Sequence, residues 1–197
     1  IAEPRGESDG TAFPRFEVTE SGVSPRTLLG QPGNAHWMTG GEHTPQGRVT
    51  EDPVIREQQI EKRARKMELA ATEISFDEKL QVYGDRQADL TILSWGSNKG
   101  AIIEALDLLE EADVAARLIQ ARLMLPFPAD EFSELLADAA PLVIVESNFS
   151  GQFAQLLRQH TGIKPDHMIL KYNGRPISAD EIVVAINEIR TGEAPAR

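Results

Sequence analysis

Leu90-Thr91-Ile92-Leu93-Ser94-Trp95-Gly96-Ser97-Asn98-Lys99-Gly100-Ala101-Ile102-Ile103-Glu104-Ala105 carries the pattern that decides the fold. Its first half is an apolar run, two glycines then bracket a polar turn, and Ile102, Ile103, Leu106 and Leu109 follow at helical spacing. Strand, tight turn and helix in that order open a layered α/β domain, and the same signals recur downstream. Leu142-Val143-Ile144-Val145-Glu146 reads as a strand buried on both faces. Further strands are expected at 80–84, 116–123 and 167–171. Helices are expected at 99–112, at 129–139 with Asp130 as cap, and at 150–161 closed by Gly162. A last helix at 178–190 opens on Ser178 with Glu181 three residues on, the spacing of a capping box. Strands alternating with helices predict a three-layer αβα domain around a mostly parallel sheet.

Upstream the grammar differs. Residues 1–50 are rich in Gly, Pro, Ser and Thr without apolar periodicity, and read as a lid, an interface arm or disorder. Residues 13–18 are expected to form one edge strand. Asp52 and Pro53 announce a helix over 53–74. Its apolar stripe of Val54, Ile60, Met67, Leu69, Ala70 and Ile74 is thin, which predicts a solvated helix connecting two bodies, with Glu61 and Arg65 as an i,i+4 pair. The boundary is set at 75/76.

Twenty Lys and Arg against thirty-one Asp and Glu leave a net charge of -11, which argues against wrapping nucleic acid or an anionic membrane. With no cysteine the chain supplies neither disulfides nor cluster ligands, and a reducing cytoplasm is the expected home. No apolar run approaches the ~20 residues that span a bilayer. The sequence begins at Ile1 without an initiator Met or a signal pattern, and is read as a piece of a longer architecture.

Two turns lie where an open α/β sheet binds ligands, beyond the carboxyl ends of its strands. Ser97, Asn98 and Lys99 form one, which either cradles an anion or is simply a tight turn capped by Ser97 or Asn98. Asn148 and Gln152, beside Glu146, form the other and suit hydrogen bonding to a partner; Glu146 lacks the second titratable group that general-base work needs. In the irregular arm, Arg26 suits a carboxylate or phosphate, and Glu42 and His43 sit on a glycine-flanked loop able to enter an active site. Trp37 and Met38 read as anchors against an apolar surface. His36, His43, His160 and His167 have no zinc spacing, no metal site is expected, and no residue receives a catalytic role.

Glu20-Ser21-Gly22-Val23-Ser24-Pro25-Arg26, then Gly40-Gly41-Glu42-His43, Gly47, Glu51-Asp52-Pro53 and the Lys62-Arg63 helix resemble the α subunit of 2-oxoacid:ferredoxin oxidoreductases, most closely the 2-oxoglutarate branch. Trp95-Gly96-Ser97, Pro126-Phe127-Pro128, Val145-Glu146-Ser147-Asn148 and Ser150-Gly151-Gln152 extend the likeness. Gly41, Leu29 and Ser147 depart from residues common in the family, which bears on the substrate more than on the family. The resemblance implies a thiamine-diphosphate enzyme that converts a 2-oxoacid and coenzyme A to acyl-CoA and CO2 while reducing ferredoxin through iron–sulfur clusters. It implies that 1–75 is the tail of a pyrimidine-side domain, arm and connecting helix, and 76–197 a domain like the C-terminal domain of transketolase. Neither the Tyr-Pro-Ile-Thr-Pro-type substrate motif nor the thiamine-activating acid of the family is visible. The chain is therefore expected to be a C-terminal, structural and assembling portion, inactive by itself. Thiamine diphosphate, Mg and cluster would belong to the full complex, with the cofactor-binding β subunit, the rest of the α/γ polypeptide, ferredoxin and CoA as partners. A free-standing interaction or regulatory module, and a pyruvate or branched-chain substrate, remain the alternatives.

Overall fold

The computed structural model describes residues 12–85, 87–137 and 141–193. The chain divides into two units, 1–73 and 74–197. The second is the layered domain. After a single helical turn α2 (Phe76–Lys79) come β1 (Leu80–Tyr83), β2 (Leu90–Trp95), α3 (Lys99–Glu111), β3 (Ala116–Ala121), α4 (Ala129–Leu136), β4 (Leu142–Glu146), α5 (Gln152–Thr161), β5 (His167–Leu170) and α6 (Ala179–Thr191). The sheet order is β1-β3-β2-β4-β5, antiparallel only between β1 and β3. This is the mostly parallel α/β sheet read from the sequence.

Strand alternation sorts the side chains. Leu90, Ile92, Val143 and Val145 face one layer and pack with Ile102, Leu109, Ile182 and Ile186 of α3 and α6. Leu93, Leu142 and Ile144 face the other and pack with Phe132, Leu136, Phe153 and Leu157 of α4 and α5. Each of the large side chains fully buried here contributes about 1.5–3 kcal/mol. The even numbering of Leu142, Ile144 and Glu146 therefore aims Glu146 at α5.

Several expectations are corrected in detail. Asp130 does not cap α4: Pro128 is the N-cap, its carbonyl accepts from Phe132 N at 3.1 Å, and Asp130 and Glu131 lie in the first turn beside the positive end of the helix dipole. Residues 138–139 of the expected helix lie outside the described residues. Asn98 does not cap α3 with its side chain, because Gly96, Ser97 and Asn98 form a 3-10 turn and the Asn98 amide points back to the strands. The strand expected at 13–18 is absent; a turn at Arg15 and Phe16 interrupts it, with Arg15 N donating to Phe13 O at 2.8 Å. Ser178 with Glu181 does cap α6, and Gly162 closes α5 at φ +76°.

Buried polar pairs were not foreseen. Lys79 reaches Glu131 at 2.5 Å. Arg117 lies inside β3, donating from Nε to Thr91 Oγ1 at 2.9 Å and from Nη2 to Leu135 O at 3.0 Å.

In the first unit α1 (Pro53–Glu73) is the one regular element among the described residues. Asp52 caps it as expected, accepting from Val54 N at 2.8 Å and Ile55 N at 3.2 Å. The face it buries is not the apolar stripe. Val54 and Ile60 are exposed, whereas Gln59 and Lys62 are buried, because the irregular arm brings backbone carbonyls that need donors. Trp37 and Met38 are not anchors within this unit: Met38 is 75% exposed, and Trp37 is covered in part by Arg48, whose guanidinium lies 4.3 Å from the ring centre.

Ile144 pairs with Leu93 and Met168 at the centre of the sheet and is fully buried. Replacing it by Asp leaves an unpaired carboxylate there at a cost of several kcal/mol. The expected outcome for Ile144→Asp is loss of the cooperative thermal transition by circular dichroism; an unchanged transition would place the strand elsewhere.

Candidate functional site

The chain steps from β2 to β3 on one side and returns to β4 on the other, so the switch point of the sheet lies between the carboxyl ends of β2 and β4. Both glycine-bearing turns end there. Ser94 Oγ donates to Val145 O at 2.7 Å, and Ser147 Oγ donates to Asn98 Oδ1 at 2.8 Å, tying the two turns together. Glu146 is fully buried and accepts from Phe153 N at 2.9 Å, Ala154 N at 3.0 Å, Asn148 Nδ2 at 2.6 Å and Trp95 Nε1 at 3.4 Å. Those bonds give a buried carboxylate its donors at the positive end of α5. Glu146 is thus a helix cap in the core, its carboxylate closed off from solvent.

Asn148 is likewise engaged inside: its Oδ1 accepts from Gly151 N at 2.8 Å and Gln152 N at 3.2 Å. Gln152 is exposed, Ser97 is exposed, and the Lys99 ammonium lies 4.9 Å from the centre of the Tyr83 ring. A cleft of about 560 Å³ opens beside the turns, walled by Ser97, Asn98, Ser147, Lys171, Tyr172 and Arg175. Lys171 is already bridged to Glu181 at 2.5 Å. At its rim Phe149, 70% exposed, meets Tyr172 edge-on at 5.0 Å.

The other cluster of candidates lies in the first unit. Arg26 and His43 line a cleft of about 460 Å³ together with Arg15, Lys62, Arg63 and Lys66. Five basic side chains on one cleft run against a chain of net charge -11. The arm reaches this arrangement because Gly22, at φ +75°, lies against α1. A Cβ there would come within 2.4 Å of Lys62 O and 2.5 Å of Lys66 N, so only glycine lets the two backbones approach.

Glu42 does not open onto the cleft as a free base. Arg63 grips it with two parallel bonds, Nη1 to Oε1 at 3.1 Å and Nη2 to Oε2 at 2.8 Å, and this grip holds its pKa down to about 2. Among the described residues no carboxylate pairs with Arg15, Arg26, Lys62 or Lys66. Burial, reinforced by Arg63, Lys66 and Arg15, lowers the Lys62 pKa to about 8. The His43 ring stacks on Phe16 at 3.9 Å, and its Nδ1 is buried without a hydrogen-bond partner. Cations without a carboxylate partner among the described residues, and an imidazole nitrogen without a hydrogen bond, thus share this cleft.

Of the arm residues singled out from the sequence, Arg26 and His43 line this cleft and Glu42 does not; Arg15 and the basic face of α1 were not singled out. Lys62, Arg63 and Lys66 recur at i, i+1 and i+4, a spacing that puts them on one side of a helix. That signal was legible and had been read as a solvated face. Among the described residues no group of three or more His, Asp or Glu is arranged to hold a metal, and the chain has no cysteine.

The Glu42–Arg63 pair sets a pH dependence. The folded pKa of Glu42 lies below its ordinary 4.5, so the pair stabilises above that pH and its contribution disappears as pH falls toward about 2. With the Arg63 side chain 45% exposed, screening limits the contribution to about 1 kcal/mol or less. Urea midpoints of the wild type should fall toward those of Glu42→Gln between pH 4.5 and 2. A constant gap over that range would mean that Arg63 does not control the carboxylate.

Residues 88–182 match the model of pyruvate:ferredoxin oxidoreductase core domain II. The chain is 43% identical over 182 residues to 2-oxoacid:ferredoxin oxidoreductase 2, subunit alpha, of Aeropyrum pernix, covering 92% of this chain and 28% of that protein. It is 41% identical over 175 residues to the corresponding α subunit of Saccharolobus solfataricus, covering 89% of this chain and 27% of that protein. The solved 2-oxoglutarate:ferredoxin oxidoreductase of Magnetococcus marinus, with 2-oxoglutarate, coenzyme A and succinyl-CoA bound, superposes with a TM-score of 0.72 at 28% identity, covering 93% of this chain and 32% of that one. The chain thus spans little more than a quarter of the curated relatives it matches. Matched over nearly all its own length in sequence and fold, the chain belongs to the 2-oxoacid:ferredoxin oxidoreductase α-subunit family.

Proposed function

We propose that the chain is the C-terminal portion of the α subunit of a 2-oxoglutarate:ferredoxin oxidoreductase, which forms an acyl-CoA and CO2 from the 2-oxoacid and coenzyme A and passes electrons to ferredoxin. The observation that carries the substrate half of this reading is the basic cleft of the first unit. A dicarboxylate needs two charge partners, and the cleft offers Arg26 and Lys66. The Arg26 guanidinium would take a carboxylate through two parallel bonds. Pyruvate or a branched-chain 2-oxoacid carries one carboxylate and an apolar tail, which this wall serves less well. That the Magnetococcus enzyme binds 2-oxoglutarate supports the same choice.

The family implies thiamine diphosphate, Mg and an iron–sulfur cluster, and the residues described here do not fit them. There is neither a metal-holding carboxylate cluster nor any cysteine. We assign these groups to the β subunit and the rest of the α/γ polypeptide. In the assembly this chain binds and orients the anionic end of the substrate, and its layered domain serves as a supporting module. Exposed Trp95, Phe149 and Tyr172 at the carboxyl edge of the sheet favour subunit contact there, which equally suits the alternative of a free-standing interaction module. Among the described residues no helix is long and apolar enough to cross a membrane. The proposal includes a cytoplasmic complex, and the net charge of -11 speaks against nucleic acid or an anionic membrane as its partner.

The test uses the full-length α subunit assembled with its partner. Acyl-CoA should form from 2-oxoglutarate in preference to pyruvate, and Arg26→Ala should raise the KM for 2-oxoglutarate by about tenfold or more, as the loss of a charged bidentate contact does. The isolated 197-residue chain, given thiamine diphosphate and CoA, should reduce no dye. Equal use of pyruvate sinks the substrate choice, and dye reduction by the isolated chain sinks the supporting role.

A further inference from the structure

We propose that Lys62 is the residue that positions Arg26, acting through Ser24 and the Phe16 carbonyl. This rests on the reading of Arg26 as the carboxylate-binding group and extends it to what holds Arg26 in place. Arg26 lies on the irregular arm in a single backbone bridge, and side-chain ties hold the segment that leads into it. Lys62 Nζ donates to Ser24 Oγ at 2.9 Å and to Phe16 O at 3.1 Å. Ser24 Oγ passes its own proton to Glu17 O at 3.0 Å, so both the donor and an acceptor site of that hydroxyl are used and its orientation is fixed. The next residue, Pro25, is pinned through its carbonyl by Arg15 Nη1 at 3.2 Å. Gly22 presses the preceding turn onto the α1 backbone. The segment is thus fastened at Gly22, Ser24 and Pro25, on the N-terminal side of Arg26.

A lysine is a costly choice for a mere fastener. Lys62 is 5% exposed and, among the described residues, has no carboxylate of its own. A buried ammonium without a counter-ion is destabilising. Three positions earlier, Gln59 Nε2 donates to the same Phe16 carbonyl at 2.9 Å with no charge at all. Retention of a charge where a neutral donor does the same job is accounted for if the charge serves the anion held by the neighbouring cleft. Arg15, Arg26 and His43 from the arm, Glu42 from its glycine loop and Arg63 and Lys66 from α1 are the titratable or charged groups around Lys62, and Glu42 is committed to Arg63. Burial and the surrounding cations bring Lys62 into a range where it loses its proton near pH 8, and the tie to Ser24 weakens with it.

The experiment compares Lys62→Met, Lys62→Arg, Ser24→Ala and Arg26→Ala in the assembled, full-length oxidoreductase with 2-oxoglutarate as the probe. Lys62→Met should raise KM by about tenfold with kcat held within about threefold, the signature of lost ground-state binding. Ser24→Ala should move KM in the same direction by less, and Lys62→Arg should restore most of the affinity. The wild-type KM should climb above pH 8 and that of Lys62→Met should not. Amide hydrogen exchange over residues 22–27 should quicken in Lys62→Met and Ser24→Ala. If Arg26→Ala raises KM while Lys62→Met and Ser24→Ala leave it unchanged, Lys62 is a packing residue and the proposal falls, with the role of Arg26 intact. If Arg26→Ala itself has no effect, the role of Arg26 falls and takes this inference with it. Should Lys62→Met fail to assemble, Ser24→Ala decides alone, since it removes the acceptor and leaves the charge.

Discussion

A backbone carbonyl that leaves water has to meet a donor, and the two units of this chain satisfy that demand by different means. In the layered domain the backbone ladder does most of this, with Ser94 adding a donor to the Val145 carbonyl, so β2 and β4 are free to be apolar almost throughout. Among the described residues of the first unit only isolated bridges form, and no strand ladder. The carbonyls of Phe16, Thr19 and Pro25 are met by Gln59, Lys62, Arg65 and Arg15. Donors of that reach are mostly cations, so an irregular arm packed on a helix concentrates positive charge. The basic cleft follows from the way the arm is folded.

How well the sequence spoke depended on which of these solutions was in force. Where strands alternate, parity alone carried the reading: Leu142, Ile144 and Glu146 share a face, and the carboxylate of the last reaches the start of α5 as that parity demands. The helices around the sheet were legible from apolar spacing, and the Ser178–Glu181 cap from its interval. In the arm, the residues that matter are polar and far apart in sequence. Lys62 meets Ser24 across 38 positions, and no local pattern encodes such a pair. The stripe of Val54 and Ile60 suggested an inner face, yet those side chains stay exposed, because on α1 the demand for donors outweighs the burial of a few apolar groups. Arg117 was invisible for a related reason. It interrupts an apolar strand and is accommodated by Thr91 and a carbonyl of α4 that only the fold brings near.

The candidates divide accordingly. Glu146 and Asn148 occupy the edge of the sheet where ligands gather in open α/β folds, but their hydrogen-bonding capacity is spent on α5. Arg26 and His43 lie in the less regular unit and retain unused capacity. Family membership rests on the length and order of the match, whereas the choice of substrate rests on this local imbalance of charge. These are separate supports, and losing the second leaves the first standing.

The pressing of Gly22 onto the backbone of α1 has a consequence for redesign. A spacing set by main chain against main chain cannot be tuned by degrees, since any side chain at that position collides with atoms that have nowhere to go. Engineering toward a neutral or bulkier substrate therefore has to proceed from the helix side, where Lys66 can be exchanged without remaking the turn. The glycine acts as a fixed gauge, and the cations opposite it are the interchangeable parts.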